Sequence, residues 1–252
     1  MGSDNRTPTF VINLSSDAAR RENVIGQFAK LPAFDMNFVV GANGRDLPNE
    51  VCFALTRSEN WVRYKGTIGC FLSHVKAWEE AARSASPFAV ILEDDVDVAN
   101  LNRLCSLAIP PDAEIIFLND RLSADLPAAP ALDALPLWRA LRRIDTLRSG
   151  PGGDGYLLTP ECAAKLLAAC RKDLFYGHVD GRLLRYATSE EDLAQLPSDS
   201  WIADVIRTHH HATLKPTLGL VRGYCLSEPL VKHRGIESSR ETADQSLGPK
   251  FP

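Results

Sequence analysis

The sequence predicts an α/β domain in which buried strands deliver acidic residues to the rim of a sheet. Three observations carry that prediction. Phe88-Ala89-Val90-Ile91-Leu92 is an apolar run that reads as a buried strand, and it leads directly into Glu93-Asp94-Asp95, with Asp97 two positions on. A strand at Thr9–Leu14, a helix, and a short strand at Phe38–Val40 form an opening β-α-β unit, the start of a nucleotide-binding type of sheet. Ile68, Phe71, Leu72, Val75 and Trp78 recur at the spacing of one buried helix face over Thr67–Arg83, just before the acidic strand.

The remaining elements follow from local signals. Ser15 or Ser16 caps the first helix, which runs to about Leu31 and stops at Pro32. Gly41-Ala42-Asn43-Gly44 closes the second strand, and no GxGxxG is present, so a dinucleotide fold is not supported. Ala113–Leu118 is a further strand reaching Asn119-Asp120, and residues 122–136 read as a surface excursion. Gly150-Pro151-Gly152-Gly153-Asp154-Gly155 is a dense turn before a short strand at Tyr156–Leu158. Thr159 caps a helix with Pro160 at its first position, extending to about Cys170. A helix at Val179–Ala187, a loop at 188–200 and a strand at Gly223–Leu226 complete the pattern. Without repeats or a clear linker, the expectation is one domain over 9–236, between a disordered stretch at 1–8 and a polar tail at 237–252.

Composition narrows the function. The chain has 252 residues with 28 Lys and Arg against 32 Asp and Glu, a net charge of −4, which argues against a nucleic-acid binder. No apolar run approaches the length of a membrane span, and residues 1–8 lack a signal-peptide core, so a cytoplasmic location is expected. The six cysteines are scattered without a CxxC and read as reduced thiols. His209-His210-His211 lacks partner acids or cysteines at ligand spacing and is a weak metal signal.

The acidic strand end is the informative chemistry. Adjacent carboxylates repel one another, and the usual neutralising agent is a hard divalent cation, Mg²⁺ or Mn²⁺, shared with substrate phosphates. Alternation along a strand sends Glu93 and Asp95 to one side and Asp94 to the other. A phosphorylated ligand at the rim of the sheet is therefore expected.

Several blocks resemble glycosyltransferase family 25, the lipooligosaccharide and collagen galactosyltransferase-like enzymes. They are Ile12-Asn13-Leu14 with Arg20-Arg21, Gly69-Cys70-Phe71-Leu72-Ser73-His74 with Lys76-Ala77-Trp78, and Ile91-Leu92-Glu93-Asp94-Asp95. Gly155-Tyr156-Leu157-Leu158 and Pro229-Leu230-Val231 followed by Glu237-Ser238 are similar to the later blocks. The resemblance implies a GT-A type nucleotide-sugar-binding fold, a single Rossmann-like domain with a mixed sheet. It also implies a UDP-sugar donor, typically UDP-galactose, a Mn²⁺ (or Mg²⁺) cofactor and inversion at the anomeric carbon. Two blocks depart from the family pattern: Gly152-Gly153-Asp154 replaces Gly-Thr-His, and Ser239 replaces an Asp.

Within that resemblance, Asp95 is the expected principal metal ligand, with Asp97 as an alternative chelating partner and His233 closing the shell. Glu93 and Asp94 would contact ribose, sugar or metal-bound water. Asn13, Arg20, Arg21, Gly41, Asn43, Ser73, His74 and Lys76 are the other expected donor-binding residues. Inverting transfer needs a general base for the acceptor hydroxyl. Asp180 is preferred narrowly over Asp154.

The sequence thus points to a glycosyltransferase moving a hexose, galactose by family default, to a glycan or glycolipid hydroxyl at the inner face of a membrane. The alternatives are a catalytically inactive nucleotide-sugar-binding protein and a nucleotidyltransferase. Oligomeric state is not legible.

Overall fold

The computed structural model describes residues 6–57, 59, 64–124, 131–147, 150–173, 178–208 and 217–235. Among these lie nine strands: β1 (Thr7–Asn13), β2 (Phe34–Val40), β3 (Ala89–Glu93), β4 (Val96–Asp97), β5 (Ile115–Phe117), β6 (Ala134–Pro136), β7 (Gly155–Leu158), β8 (Gly223–Leu226) and β9 (Lys232–His233). The helices are α1 (Ala18–Phe28), α2 (Asn49–Thr56), α3 (Lys65–Ala82), α4 (Trp138–Leu147), α5 (Pro160–Lys172), α6 (Val179–Ala187), α7 (Glu190–Ala194) and α8 (Trp201–Thr208). Seven strands form one mixed sheet in the order β2-β1-β3-β7-β5-β8-β6, and β4 pairs separately with β9. This is the Rossmann-like α/β arrangement expected from the sequence. No helix among the described residues is long and apolar enough to cross a membrane.

Strand polarity decides where the chemistry collects. β1 is parallel to both β2 and β3, so Asn13, Val40 and Glu93 end on the same edge. β7 is antiparallel to β3 and begins opposite Leu92, which brings Asp154 to that edge. β5 is antiparallel to β7 and delivers Asn119 and Arg121 to the same edge from its far end. Parallel strand ends are where open α/β sheets place ligands.

The core follows from the two-residue period of the strands. Along β3, Ala89 and Ile91 face one layer while Val90 and Leu92 face the other, all four fully buried. The first layer is closed by α3, α5 and α6, centred on Trp78, Phe117 and Tyr156. The second is closed by α1 through Val24 and Phe28. The α3 face holds Ile68, Phe71 and Trp78 buried, whereas Leu72 and Val75 are only half-buried.

Several boundaries differ from expectation for local reasons. β1 starts at Thr7, because its backbone joins Ala33 beside β2, so residues 7–8 are strand rather than disordered. Asp17, not Ser15 or Ser16, occupies the α1 N-cap position, and it makes no side-chain cap. The helix ends at Phe28, before Leu31. In α5, Thr159 accepts from the Cys162 N–H as expected, but the helix continues to Lys172. The 188–200 stretch contains α7, capped by a reciprocal Ser189–Asp192 box, and 122–136 ends in an edge strand. The His209–His211 run, Glu237–Ser239 and the 237–252 tail lie outside the described residues.

Candidate active site

A pocket opens over the edge where β1 and β3 end. Its lining includes Asp17, Arg20, Ala42, Asn43, Gly44, Cys70, Ser73, His74, Glu93, Asp94 and Asp95. Close backbone packing builds its wall. A Cβ on Gly69 of α3 would stand 2.5 Å from the Ala42 carbonyl oxygen and 2.7 Å from the Gly44 nitrogen. Ser73 secures the same turn: its Oγ accepts from the Ala42 N–H at 2.8 Å and donates to the Gly69 carbonyl at 2.7 Å. Its single proton and one of its two lone pairs serve the protein, so Ser73 shapes the wall of the pocket. Gly41 follows the end of β2, its N–H bonded to the Asn13 carbonyl.

The three acids meet different partners. Asp94 is buried and satisfied, with Oδ2 accepting from Asn13 Nδ2 at 2.7 Å and Oδ1 from Arg20 Nη1 at 3.0 Å. Burial still pushes its carboxyl up, against the pull of Asn13 and Arg20. Asp94 and Asn13, both expected at the donor, are thus spent on each other.

Asp95 is different. Its Oδ2 lies 3.4 Å from Arg20 Nη1 and 3.6 Å from His233 Nε2, while its buried Oδ1 has no hydrogen-bond partner among the described residues. Burial first, and the Glu93 charge second, push its carboxyl up to about 6. Glu93 is partly exposed in the pocket, with Oε1 3.3 Å from His74 Nε2.

His74 is fully buried and engaged at both ring nitrogens, Nδ1 lying 2.8 Å from the Tyr156 hydroxyl. Cys70, His74 and Glu93 bring ligand atoms close enough together to suggest a metal trio. The two hydrogen bonds of His74 already use the nitrogen such a site would need.

Deeper along the edge, the Arg121 guanidinium donates through Nη2 to both oxygens of Asp154. Burial and the nearby Glu93 push the Asp154 carboxyl up, and Arg121 opposes them. Asp180, at the first turn of α6, is half-buried. A Cβ on Gly153 would lie 3.7 Å from Asp180 Cβ, from Glu93 Oε1 and from His74 Cε1, so the glycine turn joins Asp180 to the pocket acids.

Three expected site residues fall elsewhere. Asp97 is exposed and accepts from the Ala99 N–H, because the chain turns at Asp94–Asp95 and strand parity is lost. It is therefore no chelating partner of Asp95. Arg21 stacks its guanidinium 3.9 Å over the Phe38 ring. Lys76 is exposed and donates to the Val40 carbonyl at 3.0 Å. Neither lines the pocket. His233 is brought near Asp95 by the β4–β9 pairing, but its Nδ1 accepts from the Gly235 N–H. Its Nε2 lies on the side of Asp95, 3.6 Å from Oδ2.

Sequence reasoning missed Arg121, Tyr156 and Trp78. The basic residue following the β5 strand end was a legible signal for the first. Trp78 and Tyr156 read from sequence as helix and strand core within the family-like blocks, with nothing local to give them a site role.

A comparison with curated proteins finds no match. A solved structure of a glycosyltransferase involved in the glycosylation of the major capsid of PBCV-1 aligns over 96% of this chain and 98% of its own, at 10% identity and a TM-score of 0.40. Residues 6–128 match the family described as glycosyltransferase family 25 (LPS biosynthesis protein), a span that holds β1, α1, α3 and the Glu93–Asp95 turn. That match spans just under half of the chain, and over it the chain is similar to glycosyltransferase family 25.

Proposed function

We propose that this enzyme moves a hexose, galactose by family default, from a UDP-sugar to a hydroxyl of a glycan or glycolipid, with inversion and with the help of Mn²⁺ or Mg²⁺. One observation carries the reading. Asp94 is matched by Asn13 and Arg20, and Asp154 deeper along the edge by Arg121, whereas Asp95 keeps a buried oxygen without a partner among the described residues. A buried carboxylate oxygen left bare is costly, and an oxygen-seeking cation satisfies it. Asp95, with the partly exposed Glu93 beside it in the pocket, suits such an ion. A bound cation would neutralise charge on the diphosphate.

The chain's own groups supply the rest. Arg20 lies within reach of both Asp94 and Asp95 at the pocket rim and adds positive charge for phosphate. Asp180 is better placed as general base than Asp154, whose two oxygens are already held by Arg121. As the acceptor oxygen bonds to the anomeric carbon and the bond to UDP breaks, the hydroxyl proton passes to the Asp180 carboxylate. With the net charge against nucleic acid, the expected macromolecular contact is the acceptor, reached from the cytoplasmic face of a membrane.

The test is calorimetry and thermal shift with a panel of UDP-sugars, in Mn²⁺ and in EDTA, on wild type and Asp95→Ala. Metal-dependent stabilisation by one UDP-sugar, lost in the variant, is the expected result. Binding that persists in EDTA removes the metal from the reading, and no binding at all removes the donor.

A further inference from the structure

Three buried side chains behind the pocket form a continuous hydrogen-bonded line. Trp78 Nε1 is 2.8 Å from the Tyr156 hydroxyl oxygen, that oxygen is 2.8 Å from His74 Nδ1, and His74 Nε2 is 3.3 Å from Glu93 Oε1. The first three residues are completely buried. They come from α3 and β7, and the line ends on the last residue of β3.

The direction of every proton in the line is determined. An indole N–H only donates, so Trp78 occupies an acceptor site on the Tyr156 oxygen. The phenol then has one proton to give, and no other described residue accepts it. It must point at His74 Nδ1, since a buried hydroxyl proton without an acceptor is costly. Burial also holds the Tyr156 hydroxyl well above its ordinary range, so the phenol keeps its proton. With Nδ1 accepting, the neutral imidazole carries its hydrogen on Nε2 and donates it to Glu93. His74 is further fixed in plane by stacking on Tyr156, with ring centroids 5.9 Å apart at 18°.

The geometry points to a positioning relay: Trp78 and Tyr156 lock His74 as the Nε2–H tautomer, and His74 in turn holds one oxygen of Glu93 so that the carboxylate faces the donor in a set orientation. His74 and Tyr156 would then act on transfer through Glu93 rather than by touching the sugar nucleotide. The kinetic role rests on the transfer reading above, but the relay itself does not.

Two arms separate them. In the first, long-range ¹H–¹⁵N correlation spectra of metal-free protein read each ring nitrogen of His74, assigned by the signal lost in His74→Gln. Wild type is expected to show Nε2 protonated and Nδ1 bare; a proton on Nδ1 overturns the relay. Tyr156→Phe is expected to lose this single-tautomer pattern.

In the second arm, kcat and KM for UDP-galactose with Mn²⁺ are compared across Tyr156→Phe, Glu93→Gln and the double variant. Action through Glu93 predicts a loss of about tenfold in kcat/KM for Tyr156→Phe alone, the size of one charge-assisted hydrogen bond. In the Glu93→Gln background the same substitution should change kcat/KM by less than about twofold. Equal losses in both backgrounds mean a merely structural role and overturn the proposal. His74→Gln, whose amide can donate to Glu93, is expected to retain more turnover than His74→Leu. If wild type turns over no UDP-galactose, the choice of donor fails, while the first arm still decides the relay.

Discussion

Asn13 and Asp94, 81 positions apart in sequence, are joined by a 2.7 Å hydrogen bond from Nδ2 to Oδ2 that ties the end of β1 to the turn after β3. Asn13→Ala leaves a buried carboxylate oxygen without its donor. The expected cost is about 1–3 kcal/mol of stability, read as a lower urea midpoint. An unchanged midpoint would show that the pair does not hold the edge together.

Asp95 makes stability depend on pH. A carboxyl whose folded pKa is raised binds more protons in the folded than in the unfolded state between the two values. Its contribution is fully present below the ordinary 3.8 and is lost as pH rises through about 6. Metal-free wild type is therefore expected to lose stability across this window, and Asp95→Asn to lack that component, gaining on the order of 3 kcal/mol at neutral pH. Melting temperatures in EDTA from pH 4 to 7 check this. Parallel curves for the two proteins would contradict it.

Arg20 and Arg21 are adjacent in sequence but do different things. Arg20→Ala removes a pocket cation and is expected to weaken UDP binding by about tenfold, the size of one charge-assisted contact. Arg21→Ala and Lys76→Ala lie outside the pocket and should stay within about twofold. Titration of UDP with Mn²⁺ present distinguishes them, and equal losses would mean that the nucleotide lies elsewhere.

The two candidate bases separate on stability as well as on turnover. Asp180→Asn is expected to cut transfer by about 10²–10⁴-fold while leaving the melting temperature nearly unchanged. Asp154→Asn takes the charge partner from the half-buried Arg121 and should destabilise by a few kcal/mol, on the order of 3 at most. Full turnover in Asp180→Asn would return the role to another group.

Gly69→Ala tests the wall of the pocket. The added methyl would meet backbone at 2.5 Å, which no side-chain movement relieves. A loss of about 1–3 kcal/mol is expected, together with weaker UDP binding. Native stability in this variant would show that the turn after β2 moves freely.

The sequence by itself determined the α/β class, the opening β-α-β unit, the long helix before the acidic strand and the acidic strand end. These rest on local periodicity and on apolar runs, which neighbouring residues specify directly. The same local rules led astray at Asp97, where strand parity was extended past the turn that ends β3. They could not separate Arg20 from Arg21, because a helix start offers two successive side chains and only packing chooses which one faces the pocket.

The tertiary structure decided what the acids do. Asn13, Arg20 and Arg121 reach Asp94 and Asp154 across gaps of 33 to 81 positions, while Asp95, in the pocket, keeps a buried oxygen without a partner among the described residues. The Trp78–Tyr156–His74–Glu93 line joins a helix to two antiparallel neighbours in the sheet. Charge balance and proton direction depend on which groups meet in space. That is set by strand order and polarity, and no window of sequence contains it.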